Sequence, residues 1–440
     1  MIWDRQHECM DRKELQALQL ERLKETLHRV YRRVPFYRHL FEAHGVKPED
    51  LHSLSDIRRF PFTTKAALRD NYPYGLFAVP LKEVVRLHAS SGTTGKPIVV
   101  GYTRKDLETW TELVARMVTQ AGVTSEDVVQ ITFGYGLFTG AFGLHYGLER
   151  VGATIVPASV GNTEKQIMLM QDFGTTALVG TPSYALHLGE TARAMGIDPR
   201  SLKVRLGLFG SEAWSEQMRA ELEAMWGMKA TDNYGLSEVM GPGVCGECTV
   251  APGMHISEDH FLVEIIDPET GEPMEYGQEG EVVITTLTKE AFPVVRYRTR
   301  DISVINPEPC PCGRTTARLR KVVGRTDDML IISGVNVFPS QIESVLMDIN
   351  GISPHYQILV GKKGYLDYLE VQVEMTEKAF TGSFRDLEAM EEKIRRRLQA
   401  VLSINPRVRL LEPHSIERSQ GKAKRVIDNR CEAKSSGGSS

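Results

Sequence analysis

Residues 90–97 form a short segment whose composition suits the recognition of phosphate groups. Its sequence, SSGTTGKP, combines four hydroxyl side chains, two glycines and one lysine. Glycine lets backbone N–H groups turn toward a ligand, hydroxyls add short donors, and lysine adds a compact positive charge. The segment departs from the P-loop pattern GxxxxGK[ST], because Ser90 replaces the first glycine and Pro97 replaces the magnesium-binding hydroxyl. It therefore predicts a different kind of ATP site; the alternative is a flexible surface linker.

A second group of aromatic and polar residues follows at 231–238, where the sequence TDNYGLSE reads as the end of a strand. The ring of Tyr234 suits stacking on a base. Glu238 offers a carboxylate, and Mg²⁺ in ATP sites is held by one or two carboxylates together with phosphate oxygens. The pattern predicts a base- and magnesium-binding turn near the 90–96 loop. Taken alone, a Tyr-Gly turn beside an acid is more often structural.

Four of the six cysteines lie in two close pairs, Cys245 with Cys248 and Cys310 with Cys312. Cys248, His255, Cys310 and Cys312 offer three thiolates and one imidazole, a donor set typical of tetrahedral zinc. The long interval between the pairs means that the fold must close the site, which predicts a structural clip and not a catalytic metal. Two alternatives stay open: Cys245 replaces Cys248, or the residues are buried free thiols with a capping histidine.

The overall composition indicates a soluble globular protein with small-molecule ligands. The chain has 440 residues, of which 41% are hydrophobic and 25% charged, and its net charge is −4. No long basic block favours a nucleic acid or membrane partner, and no apolar run of about 18 residues predicts a membrane span. The first residues lack the apolar core of a signal peptide, so we expect a cytoplasmic location, where disulfides are rare.

The pattern of apolar segments predicts the elements that position these residues. Residues 1–80 read as a helical, charged subdomain, and from 81 to 305 helices alternate with short apolar runs at 128–132, 153–157, 177–180 and 206–210. Near-continuous apolar strands separated by helices favour a mostly parallel sheet covered on both faces. We therefore predict an α/β fold with a large N-terminal domain of several subdomains, residues 1–326.

A change of pattern after residue 326 predicts a second, smaller domain. Helices at 340–347 and 387–402 and strands at 356–360 and 368–374 suggest an α+β unit, residues 327–430, with a hinge near Asp327. Residues 431–440 are rich in serine and glycine, which predicts a flexible tail.

Seven segments in this order resemble the adenylate-forming acyl-CoA ligase superfamily, and most closely its phenylacetate-CoA ligase branch. They are SSGTTGKP (90–97), FGYGLFTG (133–140), YGLSEVMGPG (234–243), RYRTRD (296–301), GRTDDM (324–329), GVNVFPS (334–340) and RSQGKA (418–423). The resemblance implies a mobile C-terminal lid domain and a homodimeric assembly. It also implies ATP-dependent, AMP-forming ligation of an aryl or arylalkyl acid, above all phenylacetate, to coenzyme A through an acyl-adenylate.

The resemblance assigns a role to individual residues. In the lid, it implies that Lys422 stabilises charge at the α-phosphate, that Asp327 is the hinge and that Gly334 lines the coenzyme A tunnel. Glu238 would position Mg²⁺, and Thr94 with Lys96 would guide pyrophosphate. From sequence alone, Lys422 also reads as a solvated tail lysine beside Lys424 and Arg425. The implied ATP and AMP contacts are Ser90, Ser91, Gly92, Thr93, Thr94, Gly95, Lys96, Ser211, Glu212, Asp232, Asn233, Tyr234, Gly235, Ser237, Asp301 and Arg325, with Tyr234 on adenine and the last two on the ribose.

The acid pocket is predicted at Tyr135, Phe138 and Gly140, because aromatic rings beside a glycine suit a flat ring. The alternative is that these aromatics are core residues. Benzoate, hydroxy- or aminobenzoate and indoleacetate remain open as substrates. Two other functions also remain: an adenylyltransferase similar to the coenzyme F390 synthetases, and a scaffold that keeps the fold without turnover.

Overall fold

The computed structural model describes residues 1–90, 97–326, 330–332, 335–363, 366–380, 384–402, 404–418 and 425–430. The α-helices are α1 (Arg5–Glu8), α2 (Arg12–Arg33), α3 (Pro35–Ala43), α4 (Lys65–Asp70), α5 (Arg104–Gln120), α6 (Thr139–Val151), α7 (Thr163–Phe173), α8 (Pro182–Ala194), α9 (Glu216–Trp226), α10 (Pro339–Met347), α11 (Glu377–Phe380) and α12 (Phe384–Leu402). None of the helices in the described part of the chain combines the length and hydrophobicity needed to cross a bilayer.

The strands of the large domain are β1 (Arg86–Ala89), β2 (Val99–Tyr102), β3 (Val128–Ile131), β4 (Thr154–Val156), β5 (Ala177–Gly180), β6 (Leu206–Gly210), β7 (Lys229–Leu236), β8 (Gly241–Glu247), β9 (Met254–Ile256), β10 (Phe261–Ile266), β11 (Glu279–Thr286), β12 (Tyr297–Asn306), β13 (Arg318–Leu319) and β14 (Gly324–Arg325). The strands of the smaller domain are β15 (Leu330–Ile332), β16 (Val335–Val337), β17 (Ile352–Lys363), β18 (Leu366–Met375), β19 (Arg407–Leu411) and β20 (Val426–Asp428).

One long sheet organises the large domain. Its order is β10-β11-β12-β13-β9-β8-β7-β6-β5-β3-β4, with β14 paired to β12. The strands β4, β3, β5, β6 and β7 are parallel, and the four apolar runs predicted from sequence are β3 to β6. The pairing of β7 with β8 is antiparallel, and so are the pairings from β8 to the β10 edge of the sheet. The sheet is therefore mixed. The parallel half is therefore as predicted, whereas the antiparallel half was not foreseen.

The N-terminal helical segment packs into the core of the sheet domain. Leu23, Leu27 and Phe41 are fully buried and belong to the same hydrophobic cluster as residues of β3 and β11. The Thr63 hydroxyl donates to the Val295 carbonyl over 2.6 Å. Residues 1–80 thus share their core with the rest of the large domain.

The smaller domain is the α+β unit predicted from sequence. Strands β17 and β18 form an antiparallel hairpin, and β20 and β19 add in parallel at its two edges. Helices α10 and α12 cover the sheet, and their buried Ile342 and Leu398 pack with Ile358 and Val371 of the strands. This core is separate from that of the large domain, which suits a unit that moves as one body.

Helices α5 and α6 approach closely because α6 presents glycine to its neighbour. A Cβ built on Gly147 would lie 2.4 Å from Val114 Cγ1 and 3.0 Å from the Val114 backbone carbon. A Cβ on Gly143 would lie 2.4 Å from the ring of Trp110. The small residues therefore set the distance between the two helices, and α6 begins at the predicted acid-pocket segment.

We predict that Gly147→Ala destabilises the large domain. Overpacking costs about 1–3 kcal/mol, which exceeds the gain of up to about 1 kcal/mol that alanine brings to a helix. Urea unfolding of both proteins measures the difference. Gly134→Ala is the control, since its nearest atom would be 3.8 Å away. Equal stability of the two variants would contradict this account of the packing.

Candidate functional site

A cleft of about 1410 Å³ lies between the two domains, and its large-domain wall contains eight of the ten predicted nucleotide contacts that are among the described residues; Ser90 and Ser237 are not in its lining. The ends of β6 and β7 and the neighbouring pair β12 and β14 contribute the side chains. The predicted residues that line it are Ser211, Glu212, Asp232, Asn233, Tyr234, Gly235, Asp301 and Arg325. Ligands in open α/β sheets bind at the carboxyl ends of parallel strands, and this cleft occupies that position.

Strand register explains why residues from 211 and from 232 meet. β6 and β7 are parallel, and Gly210 is the partner of Asn233. A Cβ on Gly210 would lie 2.5 Å from the Asn233 carbonyl oxygen, so only glycine allows this approach. The next residue, Ser211, has a left-handed φ of 69° and turns the chain away from the sheet. Glu212 then accepts the Ser183 backbone N–H over 2.8 Å at the start of α8.

Tyr234, Asp301 and Arg325 form a polar group on the cleft wall. The Tyr234 hydroxyl donates to Asp301 Oδ2 over 2.6 Å, and Arg325 Nη1 lies 3.7 Å from Asp301 Oδ1. Asp301 and Arg325 are direct partners in the β12–β14 pairing. Burial raises the pKa of Tyr234 well above its usual value, so the hydroxyl remains a donor. The arrangement offers a carboxylate, a cation and an aromatic edge to one ligand.

Asp232 is a buried carboxyl group on the same wall. Burial raises its pKa to about 7, against the opposing effect of the Lys321 ammonium group. Lys321 is held over the Trp214 ring at 3.9 Å and pairs with Glu216 at 3.0 Å. Neither Lys321 nor Trp214 was predicted to line the site. For Lys321, the one indication in the sequence is that it stands three residues before Gly324.

The residues on either side of the predicted phosphate loop form an antiparallel strand pair. β1 and β2 are antiparallel partners, and the Ser90 N–H donates to the Ile98 carbonyl over 2.9 Å while Ser90 Oγ accepts the Ile98 N–H at 3.2 Å. The loop residues Ser91, Gly92, Thr93, Thr94, Gly95 and Lys96 lie outside the described residues, as do Asp327, Gly334 and Lys422. Their assigned roles remain predictions.

Hydrogen bonds connect the predicted acid-pocket segment with both nucleotide motifs. The Ala89 N–H donates to the Leu137 carbonyl over 2.9 Å, and Thr139 Oγ1 lies 2.9 Å from Ser237 Oγ. Glu238, the predicted magnesium ligand, is buried in the turn after β7. The segment that precedes α6 is therefore fixed to the strand before residue 90 and to the turn at 237.

The predicted acid-pocket aromatics are held by other rings. The Tyr135 hydroxyl lies 3.0 Å from His145 Nδ1, and the Phe138 ring packs against Phe133 at a centroid distance of 6.2 Å. A Cβ on Gly140 would lie 2.4 Å from Phe138 Cε1. Gly140 thus makes room for the Phe138 ring, and its role beside the acid remains a prediction. Tyr135, Phe138 and Gly140 are absent from the described lining of the large cleft.

Residues of the small domain form the opposite wall of the cleft. Glu343 accepts the Ser215 backbone N–H over 2.9 Å and the Tyr356 hydroxyl over 2.8 Å. The Arg425 guanidinium lies over the Tyr356 ring at 4.2 Å, with Nε 3.6 Å from Glu343. Sequence analysis treated Arg425 only as one basic neighbour of Lys422, because nothing local indicates that it faces the other domain.

The predicted zinc ligands come together behind the cleft. The ligand atoms of Cys248, His255, Cys310 and Cys312 all lie within 4.8 Å of one another, with Cys248 and Cys310 sulfurs 3.7 Å apart. Burial lowers the pKa of His255 to about 3, so its ring is neutral, and His255 Nδ1 lies 3.1 Å from Thr316 Oγ1. Cys245 is buried in β8 as a partner of Tyr234 and is not part of this described cluster.

Comparisons with known proteins agree with this arrangement. The profile of the AMP-binding enzyme family matches residues 24–288, and that of the AMP-binding enzyme C-terminal domain matches residues 334–430. Phenylacetate-coenzyme A ligase of Aromatoleum evansii is 51% identical over 95% of both chains. The Thermus thermophilus enzyme of the same name is 47% identical over 98% of this chain and all of its own. The chain belongs to the phenylacetate-CoA ligase family.

A solved relative is informative about domain placement. 2-Hydroxyisobutyryl-CoA ligase in its postadenylation state, in complex with 2-HIB-AMP, superposes with a TM-score of 0.92 at 30% identity. The same enzyme with 2-HIB-AMP and CoA in the thioesterification state gives 0.73. Both superpositions cover 98% of this chain and 92% of the relative. The relative is the same protein in both comparisons, and this chain superposes better on its postadenylation form than on its thioesterification form.

We predict that Asp232 makes stability depend on pH. The pKa of Asp232 is 3.8 in the unfolded chain and about 7 in the folded protein. Between pH 3.8 and pH 7, the carboxyl group is therefore protonated in the folded state and ionised in the unfolded state. Stability therefore falls as pH rises through this window, by up to about 4 kcal/mol. Asp232→Asn should remove this fall, measured as the difference in urea unfolding between variant and parent from pH 5 to 8. Exposed Asp172→Asn is the control, and parallel curves for parent and Asp232→Asn would contradict the prediction.

Proposed function

We propose that this chain joins an aryl or arylalkyl carboxylic acid, phenylacetate first among them, to coenzyme A with conversion of ATP to AMP and pyrophosphate. The observation that carries the proposal is the interdomain cleft, which brings together eight predicted nucleotide contacts in a chain about half identical to phenylacetate-CoA ligases. A homodimeric state and a cytoplasmic location remain predictions from sequence.

In the first step, a carboxylate oxygen of the acid attacks the α-phosphorus of ATP and the bond to the β-phosphate breaks. Tyr234 would contact adenine, and Asp301 with Arg325 would bind the ribose hydroxyls. Glu238 and the ATP phosphates would hold Mg²⁺, which supplies charge neutralisation. Lys422 would stabilise the charge that builds on the α-phosphoryl oxygens, because a fixed cation there acts before any solvent reorganises.

In the second step, the coenzyme A thiol attacks the acyl carbonyl, the bond to AMP breaks and the thiol proton is released. A carboxylate needs this activation because oxide is a poor leaving group and AMP is a good one. The small domain would rotate about Asp327, so that Lys422 leaves the site and Gly334 reaches the thiol path. The separate core of the small domain supports its movement as one body.

Phenylacetate leads over other acids because of the family and of the ring-rich segment before α6. Phe138 packs against Phe133, and Tyr135 packs against Phe142 of α6. Thr139, the residue after Phe138, hydrogen-bonds to Ser237, so these rings form an aromatic wall near the Ser237 turn. Aromatic pairs favour offset or edge contacts, so such a wall suits a flat ring. Preference for phenylacetate over benzoate would then depend on how far the aromatic ring of the acid reaches along this wall.

We predict AMP release that requires both an aryl acid and coenzyme A for sustained turnover. Purified protein is incubated with ATP, Mg²⁺ and phenylacetate, benzoate, 4-hydroxybenzoate, anthranilate or indoleacetate, with and without coenzyme A. We expect phenylacetate to give the highest rate and the thioester as product. AMP transfer to a deazaflavin without coenzyme A would instead indicate an adenylyltransferase, and no AMP with any acid would indicate a scaffold.

We further propose that Cys248, His255, Cys310 and Cys312 hold a structural zinc ion. Tetrahedral zinc with bonds of about 2.3 Å places two thiolates about 3.8 Å apart, close to the 3.7 Å between Cys248 and Cys310. The loop that carries Cys312 also binds the N-terminal segment, because the Thr315 N–H donates to the Glu8 carbonyl over 3.0 Å. Zinc would therefore stabilise the attachment of the first residues.

We predict about one zinc per chain in purified protein, and a lower melting temperature after chelation, with acid-dependent AMP formation retained. Closing a structural site contributes directly to folding free energy, whereas the cleft needs no zinc for its chemistry. Cys310→Ser should lose the metal. Cys245→Ala is the matched control and should keep it. Protein that contains no zinc, or loss of zinc in both variants, would refute the assignment.

A further inference from the structure

A charged contact joins the two domains at a distance from the nucleotide contacts. Glu190 near the end of α8 faces His355 of β17, whose Nε2 lies 2.9 and 3.1 Å from the two carboxylate oxygens. Arg418 Nε lies 3.5 Å from Glu190 Oε2. Burial alone would raise the pKa of Glu190, but His355 and Arg418 outweigh it and hold the pKa below its usual value.

The small-domain side of this contact is preorganised. Glu374 accepts two hydrogen bonds from Arg418, at 2.8 Å from Nη1 and 2.7 Å from Nη2, so the guanidinium is fixed with Nε toward Glu190. A bidentate arginine–carboxylate pair of this kind restricts the side chain before the other domain arrives. Glu190 itself belongs to a wider charged group on the large domain that includes His187, Arg193 and Glu221.

The position of Arg418 in sequence links this contact to the adenylation step. Arg418 stands four residues before Lys422, so the two Cα atoms are at most about 14 Å apart. On the other side, Arg425 stands three residues after Lys422 and contacts Glu343, which accepts the Ser215 N–H of the large domain. Both flanks of the residue proposed to act on the α-phosphate are thus held at the interdomain surface.

The contact depends on how the two domains are placed, because it crosses from one domain to the other. Glu190 belongs to the large domain and its two partners to the small one, and the chain superposes on the postadenylation arrangement far better than on the thioesterification arrangement. Rotation of the small domain would separate a contact that lies at 2.9 Å here. Its loss would therefore affect the two half-reactions differently.

We infer that Glu190 is a positioning residue for the adenylation half-reaction, which it serves by receiving His355 and Arg418 and so holding the small domain where Lys422 reaches the nucleotide. This inference rests on the proposed function. Glu190 touches no substrate in this scheme; it acts through Arg418. Its substitution should lower the rate of acyl-adenylate formation and leave the reaction of coenzyme A with a preformed acyl-adenylate unchanged or faster.

The test compares Glu190→Gln with Glu392→Gln. Glu392 pairs with Arg395 and Arg396 inside α12, so its substitution removes the same charge without crossing the domains. We expect Glu190→Gln to reduce phenylacetate-dependent pyrophosphate–ATP exchange by up to about fivefold, the effect of losing a partly exposed ion pair, while single-turnover thioester formation from synthetic phenylacetyl-AMP stays at the parent rate or rises. Glu392→Gln should match the parent in both assays.

A measurement on the ligand-free protein tests this inference independently of the proposed function. Hydrogen–deuterium exchange of the ligand-free protein should increase at residues 186–194 and 352–358 in Glu190→Gln only. His355→Gln tests the contact from the other domain, and the double variant should lose no more pyrophosphate–ATP exchange than Glu190→Gln alone, because the contacts to both His355 and Arg418 are already lost with Glu190. Unchanged hydrogen exchange, an equal fall in both half-reactions, or additive losses would overturn the inference. Absence of aryl-acid-dependent exchange in the parent would refute the proposed function instead.

Discussion

The parallel pairing of β6 with β7 is the constraint on which the rest of the site depends. It brings the turn at Ser211 beside Asn233, and the close approach at Gly210 leaves no room for a side chain between them. Every later element of the cleft is placed relative to this edge. The antiparallel half of the sheet then supplies the facing carboxylate, because β12 and β14 pair Asp301 with Arg325. A mixed sheet thus places groups from four strands around one ligand volume.

The sequence was sufficient for the parallel half of the sheet because both faces of those strands are buried. Strands β5 and β6 have no exposed residue and appear as short runs of apolar residues and glycine. Strand β12 has a different composition: its sequence, YRTRDISVIN, contains charged residues held in ion pairs, such as half-buried Arg298 with buried Glu281 at 2.5 Å. Buried ion pairs make a core strand resemble a surface loop. Its partners, β11 and β13, also depend on long-range register that local patterns do not contain.

The site was predictable to the extent that its residue types are unusual. Paired thiols, a Tyr-Gly turn and a glycine-rich hydroxyl loop stand out in any sequence. Tyr234 and Gly235 line the cleft and three of the four paired thiols lie in the thiol cluster, whereas Cys245 and Ser90 belong to neither. Glu190, His355 and Arg418 do not stand out, since such residues are common on surfaces. Their contact exists only when two domains with separate cores meet. No pattern within either domain indicates that these side chains face one another.

The strength of the interdomain contacts suits a small domain that must leave as well as arrive. The Glu190 side chain is 27% exposed to solvent. Ion pairs with this exposure contribute about 1 kcal/mol or less. Such a contribution changes the equilibrium constant between two placements of the small domain by about fivefold or less. A fully buried pair would add a larger desolvation cost each time the domains met, because both charges would lose their water. The contact through Glu343 differs, since its partner on the large domain is the Ser215 backbone N–H at the start of α9. That bond survives any change of side chain at 215 except to proline, which lacks the N–H. Side-chain charge at Glu190 can therefore bias the domain equilibrium while the backbone contact keeps the docking position.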